Sequence, residues 1–515
     1  MTDVLFGQAY HLRFDPKLWN AMEPYPPLGT LYAVALAREH GWHVALHDSM
    51  LAEGAHEWDA SLQRHQPRFA VLYEDNFNYL TKMCLERMRE AALTMVHMAR
   101  SHDSTVIVAG SDATDHPEIY LERGARVVLL GDGEVALTAV MARLDGTSPG
   151  SLHEIPNIVF REDGDPGTVH RTERQPVKPD LDVLPTPAWD LVDMDRYRAI
   201  WLERHGRFSL NMVTTRGCPY HCNWCAKPLW GQRYHLRNPE SVVAELAMLR
   251  EQYRPDHIWF MDDIMGLKPG WLPRFASLLE EVGLRIPFKC LSRPDLLLRD
   301  ETVDALRRAG CEIVWIGAES GSQKILDAME KGTTVEQIRE AASRLQSAGI
   351  GVAFFLQFGY PGETRDDVEK TLQMVRDCKP DDIGMAVSYP LPGTPFFERV
   401  EDQLGDKRHW VDSDDLAMMY AGPFTTDFYR QLHRVLHTEF RARKVARQLL
   451  ELGRSPWRLR GRHIVKAGGV LYRWARLPVE RIRLDRLARR PHEGIGPLPP
   501  RMTAEEAAVP SPPRD

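Results

Sequence analysis

The chain has 515 residues, with 65 lysines and arginines against 72 aspartates and glutamates, 43% hydrophobic and 27% charged residues. That balance predicts an ordinary globular protein of about three domains and excludes collagen-like, coiled-coil and wholly disordered chains. Seven cysteines do not make a secreted disulfide framework, Met1–Pro16 lacks a secretory pattern and no apolar stretch reaches the roughly 18 residues that span a bilayer, so a cytoplasmic protein is expected.

Through residues 1–148, short apolar runs alternate with helical patterns. Strands are predicted at Val4–Phe6, Val44–Leu46, Phe69–Tyr73, Val106–Ala109 and Val127–Leu130, and helices at Leu28–Glu39, Leu80–Arg100, Pro117–Arg123 and Glu134–Leu144. This alternation favours an α/β domain with a doubly wound, Rossmann-like parallel sheet, which binds ligands beyond its strand C-termini. Residues 149–205 are rich in Pro, Gly and charge, with one clear strand at Asn157–Phe160, and are expected to form a connector. A second βα series fills 206–400, with strands at Phe208–Val213, His257–Met261, Phe288–Leu291, Ile313–Gly317, Gly351–Phe358 and Ile383–Ser388. Six units predict a partial (βα)6 barrel resembling part of a TIM barrel, with its functional residues at strand C-termini. Residues 401–490 are expected to be a basic, mainly helical C-terminal domain that includes a helix at Thr425–Gly453, and 491–515 a Pro-rich disordered tail.

The densest chemical signal is Thr214-Thr215-Arg216-Gly217-Cys218-Pro219-Tyr220-His221-Cys222-Asn223-Trp224-Cys225, directly after the first strand of the second series. Three thiolates at C-x3-C-x2-C spacing can wrap one iron–sulfur cluster. Such clusters normally take four cysteines, and no fourth lies nearby, so one iron would stay open to a small molecule. The alternative is zinc completed by His221 or His235, although structural zinc usually shows paired ligands at C-x2-C spacing. Cys84, Cys290, Cys311 and Cys378 lie in apolar or helical contexts and read as small buried hydrophobes.

Cys218-x3-Cys222-x-Trp224-Cys225 resembles the signature of the radical S-adenosylmethionine (radical SAM) superfamily, including the aromatic residue before the last cysteine. The resemblance implies that the three cysteines hold a [4Fe-4S] cluster whose open iron is chelated by SAM. An electron from a donor such as flavodoxin or ferredoxin would cleave SAM to methionine and a 5'-deoxyadenosyl radical, which abstracts a substrate hydrogen. It also implies SAM-site residues at successive positions: Trp224 in the loop, Asp262 and Asp263 near the SAM amino group, and Arg293 after Ser292. Glu319 and Ser320 follow within Gly317-Ala318-Glu319-Ser320-Gly321, then Gln357 ahead of Gly359-Tyr360-Pro361-Gly362-Glu363-Thr364. Pro390-Leu391-Pro392-Gly393-Thr394 ends the sixth strand. By residue type alone, Asp262 and Asp263 equally suit a helix cap, and Pro-Gly pairs mostly make turns.

A doubly wound domain ahead of such a barrel resembles the cobalamin-binding branch of that superfamily, over roughly Met1 to Arg399. Tyr25-Pro26-Pro27-Leu28-Gly29, Gly110-Ser111 and Gly131-Asp132-Gly133-Glu134 carry the likeness. Small residues there let the backbone approach a large planar ligand. The Asp-x-His-x-x-Gly pattern, whose histidine coordinates cobalt in classical mutases, is absent. The likeness therefore implies no histidine below the cobalt, and the expected lower-face loop is Asp75-Asn76-Phe77-Asn78. The alternative for this domain is a degenerate lid or scaffold.

The activity this implies is cobalamin-dependent C-methylation of an unactivated carbon, with two SAM per turnover. A second reading is radical ring formation or oxidation, as in the anaerobic magnesium-protoporphyrin monomethyl ester cyclase, which shares the architecture; a third is a non-catalytic iron–sulfur or corrinoid binder. Methylthiotransferases would need three further cysteines near the N-terminus, where only Cys84 precedes the loop.

Charge is unevenly placed. Gln431–Arg490 hold 17 lysines and arginines and 4 acids, a surplus of 13 that leaves −20 on the remainder. In Phe428-x2-Gln431-Leu432-x2-Val435-Leu436-x2-Glu439-Phe440, apolar residues at helical spacing predict a face packed on the barrel. Arg441–Arg490 mix Trp457, Ile464, Val465, Leu471, Tyr472 and Trp474 with arginines. That segment reads either as a solvated charged face or as a peripheral membrane contact suited to a lipid-like substrate, the alternative being another small molecule. No nucleic-acid module is visible and none is expected to bind.

Overall fold

The computed structural model describes residues 2–83, 85–162, 165–175, 180–225, 232–453 and 461–489. Cys84, Trp457, the tail 491–515 and the side chains of Ile464 and Val465 lie outside what it describes. The first sheet has seven strands: β1 (Val4–Gly7), β2 (Val44–His47), β3 (Phe69–Tyr73), β4 (Thr105–Ala109), β5 (Val127–Leu129), β6 (Ile158–Glu162) and β7 (Asp165–Arg171). Their order is β2-β1-β3-β4-β5-β6-β7, with the first five parallel. Runs such as Thr-Val-Ile-Val-Ala are apolar on both faces because both are covered. Ile107 packs with Ala33, Val34, Leu137 and Val140 of the helices Leu28–Glu39 and Glu134–Leu144. Val106 and Val108 point the other way, onto Trp58, Leu62, Met95 and Val96 of His56–His65 and Glu86–Ser101.

Two sequence expectations change here. The stretch expected to connect the two series instead extends the first sheet, as β6 pairs antiparallel with β5 and β7 with β6. The pairing satisfies the backbone edge of β5 that a five-stranded sheet would leave open. The helix predicted as one from Leu80 to Arg100 is two, Tyr79–Met83 and Glu86–Ser101. The hydroxyl of Ser111 donates to the carbonyls of Thr81 and Lys82, and the amide of Glu86 donates to the carbonyl of Trp410, far along the chain. Local periodicity carries no sign of either contact.

The second sheet begins at β8 (Ser209–Met212). A short antiparallel ribbon, β9 (Thr215–Arg216) and β10 (His235–Leu236), frames the cysteine loop. The sheet continues through β11 (His257–Phe260), β12 (Phe288–Ser292), β13 (Cys311–Glu319), β14 (Gly351–Phe358) and β15 (Asp382–Val387). All six run parallel in the order β15-β14-β13-β12-β11-β8, the partial barrel that the spacing predicts.

The two units pack directly on each other. Tyr25 and Ser209 share a 3.1 Å hydroxyl contact, Asn211 Nδ2 donates to the carbonyl of Pro26 at 2.9 Å, and Trp201 Nε1 to that of Pro24 at 2.7 Å. Leu28 and Leu31 of the first unit share one core with Phe208 and Leu210 of the second. The helix Thr426–Gly453 buries Phe428, Tyr429, Leu432, Val435 and Leu436 on the barrel, as its spacing predicts. Gly461–Ala488 lies along it through buried Leu477, Leu484 and Leu487. Among the described residues, no helix is long and apolar enough to cross a membrane.

Candidate active site between the two sheets

The cysteine loop is clamped where it leaves β8. Asp262, just past β11, accepts the amides of Thr214 and Thr215 on Oδ1 at 2.6 and 2.9 Å, and the Thr214 hydroxyl on Oδ2 at 2.5 Å. Burial lifts its carboxyl to about 6 against these hydrogen bonds. Further along, Asn223 fixes the loop through its amide to the carbonyl of Met329 and its Nδ2 to that of Ala328, while the Tyr360 hydroxyl donates to its Oδ1 at 2.9 Å. Trp224 packs against the cluster formed by Ile325, Met329, Tyr360 and Phe396.

Two cations attend Cys222. Arg293 Nη1 lies 3.9 Å from Cys222 Sγ, while its Nε donates to Asp295 and its Nη2 to the carbonyl of Lys331. Its guanidinium stacks 3.6 Å over the ring of Tyr220. Lys331 is buried and pairs with Glu319 Oε1 at 2.8 Å. Burial pushes its ammonium pKa down, but the charges of Glu319 and Cys222 prevail and hold it raised. A register shift between Gly317 and Glu319, with Glu319 at φ 55°, aims that carboxylate at the lysine.

Arg216, two residues before Cys218, reaches into the first unit. Its guanidinium donates to both Glu134 oxygens at 2.7 and 2.6 Å and to Asp132 at 3.1 Å. The rings of Tyr32 and Phe77 each lie 5.4 Å from it. All three ionic groups are buried. Burial, with Glu134 adding to it, pushes the Asp132 carboxyl up, and the two acids keep Arg216 charged. A second cross-pair joins Lys82 to Asp263 at 2.6 Å. Residues after β3 and β5 therefore meet residues after β8 and β11, on the strand C-terminal side of both sheets.

Residues 212–375, spanning this loop and most of the barrel, match the family model of the radical SAM superfamily. The chain carries a radical SAM domain. It is 26% identical over 377 residues to an uncharacterized methyltransferase, PH0819, of Pyrococcus horikoshii, covering 72% of this chain and 78% of that one. It is 29% identical over 282 residues to the anaerobic magnesium-protoporphyrin IX monomethyl ester cyclase of Rubrivivax gelatinosus; the match takes 54% of this chain and 49%, about half, of the cyclase. The fold is similar to that of the radical SAM methyltransferase TsrM from Kitasatospora setae, solved with cobalamin and a [4Fe-4S] cluster bound, at TM-score 0.65, 18% identity and 78% coverage of each chain. The radical SAM family uses SAM, which favours a SAM-binding loop over a zinc site at these cysteines. The cations Arg293 and Lys331 near Cys222 suit an anionic cluster in this loop.

Of the predicted SAM-site residues in this radical SAM domain, Trp224, Arg293 and Glu319 gather around Cys222 and Lys331. Asp262 spends both oxygens on the loop and caps no helix, since the next begins at Trp271. Ser320 Oγ faces Thr371 Oγ1 and the amide of Ser322, and Gln357 Nε2 donates to Ser388 Oγ. In the first unit, Glu134 holds Arg216, and Ser111 ties down the Thr81–Lys82 turn. A Cβ at Gly110 would strike Glu74 at 2.8 Å, one at Gly133 would crowd Leu129 at 3.1 Å, and Gly131 sits at φ 75°. Of the predicted residues, Asn76 Oδ1 in the first unit and Trp224 Nε1 in the cysteine loop are buried without a protein partner.

Residue reading missed several groups nearby. His11 Nε2 follows β1, and His47 Nε2 and Ser49 Oγ end or follow β2; each is buried and unpartnered. Burial, with His11 adding to it, takes His47 down to about 4. These atoms and Asn76 bracket the β1/β3 switch point, where the strand order reverses and such sheets bind ligands. Tyr79 is half exposed at the start of the helix Tyr79–Met83, which carries Lys82 to Asp263. Position at a strand C-terminus was the available signal for His11, His47 and Ser49.

Proposed function

We propose that the protein is a cobalamin-dependent radical SAM enzyme that methylates an unactivated carbon of a small organic substrate, consuming two SAM per turnover. The observation that carries this reading is the apposition of two strand-end faces. One bears the cysteine loop, and the other leaves His11, His47, Ser49 and Asn76 with unpaired buried polar atoms. Such atoms fit the polar amide periphery of a corrinoid, and the small residues Gly131 and Gly133 allow close backbone approach. When bound, the cluster supplies the electron that cleaves SAM, and the corrinoid carries the methyl group.

The chain's own residues set the conditions for that chemistry. Cys218, Cys222 and Cys225 are the cluster ligands, and Arg293 and Lys331 offset its negative charge. Glu319, fixed by Lys331, presents a carboxylate beside the loop. Tyr32 and Phe77 shield the Arg216 ion cluster from water and so keep the two faces in register. A flavodoxin or ferredoxin type of donor would deliver the electron.

Ring formation or oxidation without methyl transfer is the second reading, favoured by the cyclase likeness. Anaerobic reconstitution with iron, sulfide and hydroxocobalamin, read by absorbance spectroscopy, tests cofactor binding. A product heavier by one methylene unit supports methylation. A folded, cluster-bearing protein that takes up no corrinoid would sink the methyl-transfer half and leave the second reading.

A further inference from the structure

The helix Gly461–Ala488 presents a face that neither the barrel nor its partner helix covers. Leu471, Tyr472, Val479 and Ile482 are 71%, 61%, 68% and 52% exposed, while Leu477, Leu484 and Leu487 are buried. Leu471, Ala475, Val479 and Ile482 recur at i, i+4, i+8 and i+11, so they form one stripe opposite the packed side. Arg476, Arg483 and Arg486 are exposed on or beside that stripe. A groove of about 350 Å³ adjoins the same helix, with Phe440, Leu450 and Trp474 in its wall and Arg443, Lys444 and Arg447 around it. Exposed apolar residues of this size, aligned and flanked by arginine, mark an interaction surface rather than a solvated face.

We propose that this face docks on an anionic phospholipid bilayer and holds the protein at a membrane surface. An apolar stripe flanked by arginines is the pattern of a helix that lies in the interfacial plane, with side chains in the acyl boundary and guanidinium groups among the headgroup phosphates. The surplus of 13 positive charges over Gln431–Arg490, against −20 elsewhere, orients this end toward a negative surface. A second copy fits less well, because a twofold contact through this face would set arginines against arginines. The helix does not span, since no described helix is apolar enough to cross a bilayer.

The test uses the full chain, reconstituted anaerobically, in co-sedimentation with phosphatidylglycerol or phosphatidylcholine vesicles at low and high salt. The expected result is binding to phosphatidylglycerol at least tenfold above phosphatidylcholine, weakened by salt. The triple variant Leu471→Asp, Val479→Asp, Ile482→Asp should lose it. A second variant, Arg476→Gln, Arg483→Gln, Arg486→Gln, should bind roughly fivefold more weakly for each arginine removed. The changed residues are exposed, so thermal unfolding should stay near the wild-type midpoint, and should the Asp variant unfold, the Gln variant decides. Equal binding by wild type and variants, or no preference for anionic vesicles, overturns the proposal. Dimerisation lost in the Asp variant without vesicle binding assigns the face to a second copy and also overturns it. None of these readouts depends on methyl transfer, so this proposal and the catalytic one fail separately.

Discussion

Arg293 is the cation that lies against Cys222, and on the proposed reading it tunes the cluster. A cation 3.9 Å from Cys222 Sγ favours the more negative, reduced cluster, so removing it makes reduction harder. Arg293→Met should keep its iron while its midpoint potential moves negative by about 100 mV in an EPR-monitored titration. An unchanged potential would reduce Arg293 to a packing role. Cys222→Ala should lose both iron and SAM cleavage, as judged by metal content and 5'-deoxyadenosine yield. The cysteines were legible because ligand type and spacing are local facts. Asp262 was legible only as a polar residue in a useful place, since its partners Thr214 and Thr215 lie 48 and 47 residues away. Asn223 was hidden for the same reason: its value comes from the carbonyls of Ala328 and Met329.

At the scale of elements, periodicity served wherever a segment is held by its own face. Leu28–Glu39, Pro117–Arg123, Glu134–Leu144 and Gly351–Phe358 have the predicted bounds. Phe428 belongs to a helix whose apolar stripe is buried in the barrel's core. Phe428→Ala should therefore cost about 3–5 kcal/mol in urea unfolding, and a loss below 1 kcal/mol would mean the helix is peripheral to the core. Periodicity failed where a distant group interrupts a segment, as Ser111 does at Thr81 and Lys82, and where a sheet edge recruits a strand, as β5 does with β6.

At the scale of the whole molecule, the Arg216–Asp132–Glu134 cluster is a buried ionic link between the two units. Arg216→Met would leave two buried carboxylates without their cation, at a cost of about 3–5 kcal/mol in unfolding measurements. Glu134→Gln keeps the shape and should cost less.

Buried histidines add a pH dependence. Burial takes His257 down to about 3, against 6.5 for the free side chain, so the folded state stays neutral where the unfolded chain takes a proton. Its contribution is complete above pH 6.5 and drains as pH falls, by up to about 1.4 kcal/mol per unit. Glu74 and Glu363, lifted to about 8 by burial, act oppositely between roughly pH 4.5 and 8, since their folded forms hold the proton. The wild-type profile is thus flattened. The unfolding free energy of His257→Gln relative to wild type should rise as pH drops from 6.5 toward 4, and a constant difference would deny the histidine this role.

By itself the sequence determined the two βα series, the three-cysteine loop, the radical SAM resemblance and the charge split between a basic end and an acidic remainder. Each of these depends on residue types at short spacing, where backbone geometry alone relates neighbours. Only the tertiary structure decided which polar groups were consumed and which remained. Glu134 became a partner of Arg216, Gly110 a point of close packing, and His11, His47 and Ser49 the unpaired atoms at the switch point. Whether a polar atom is paired depends on what the fold brings to it from far along the chain, and no local pattern encodes that.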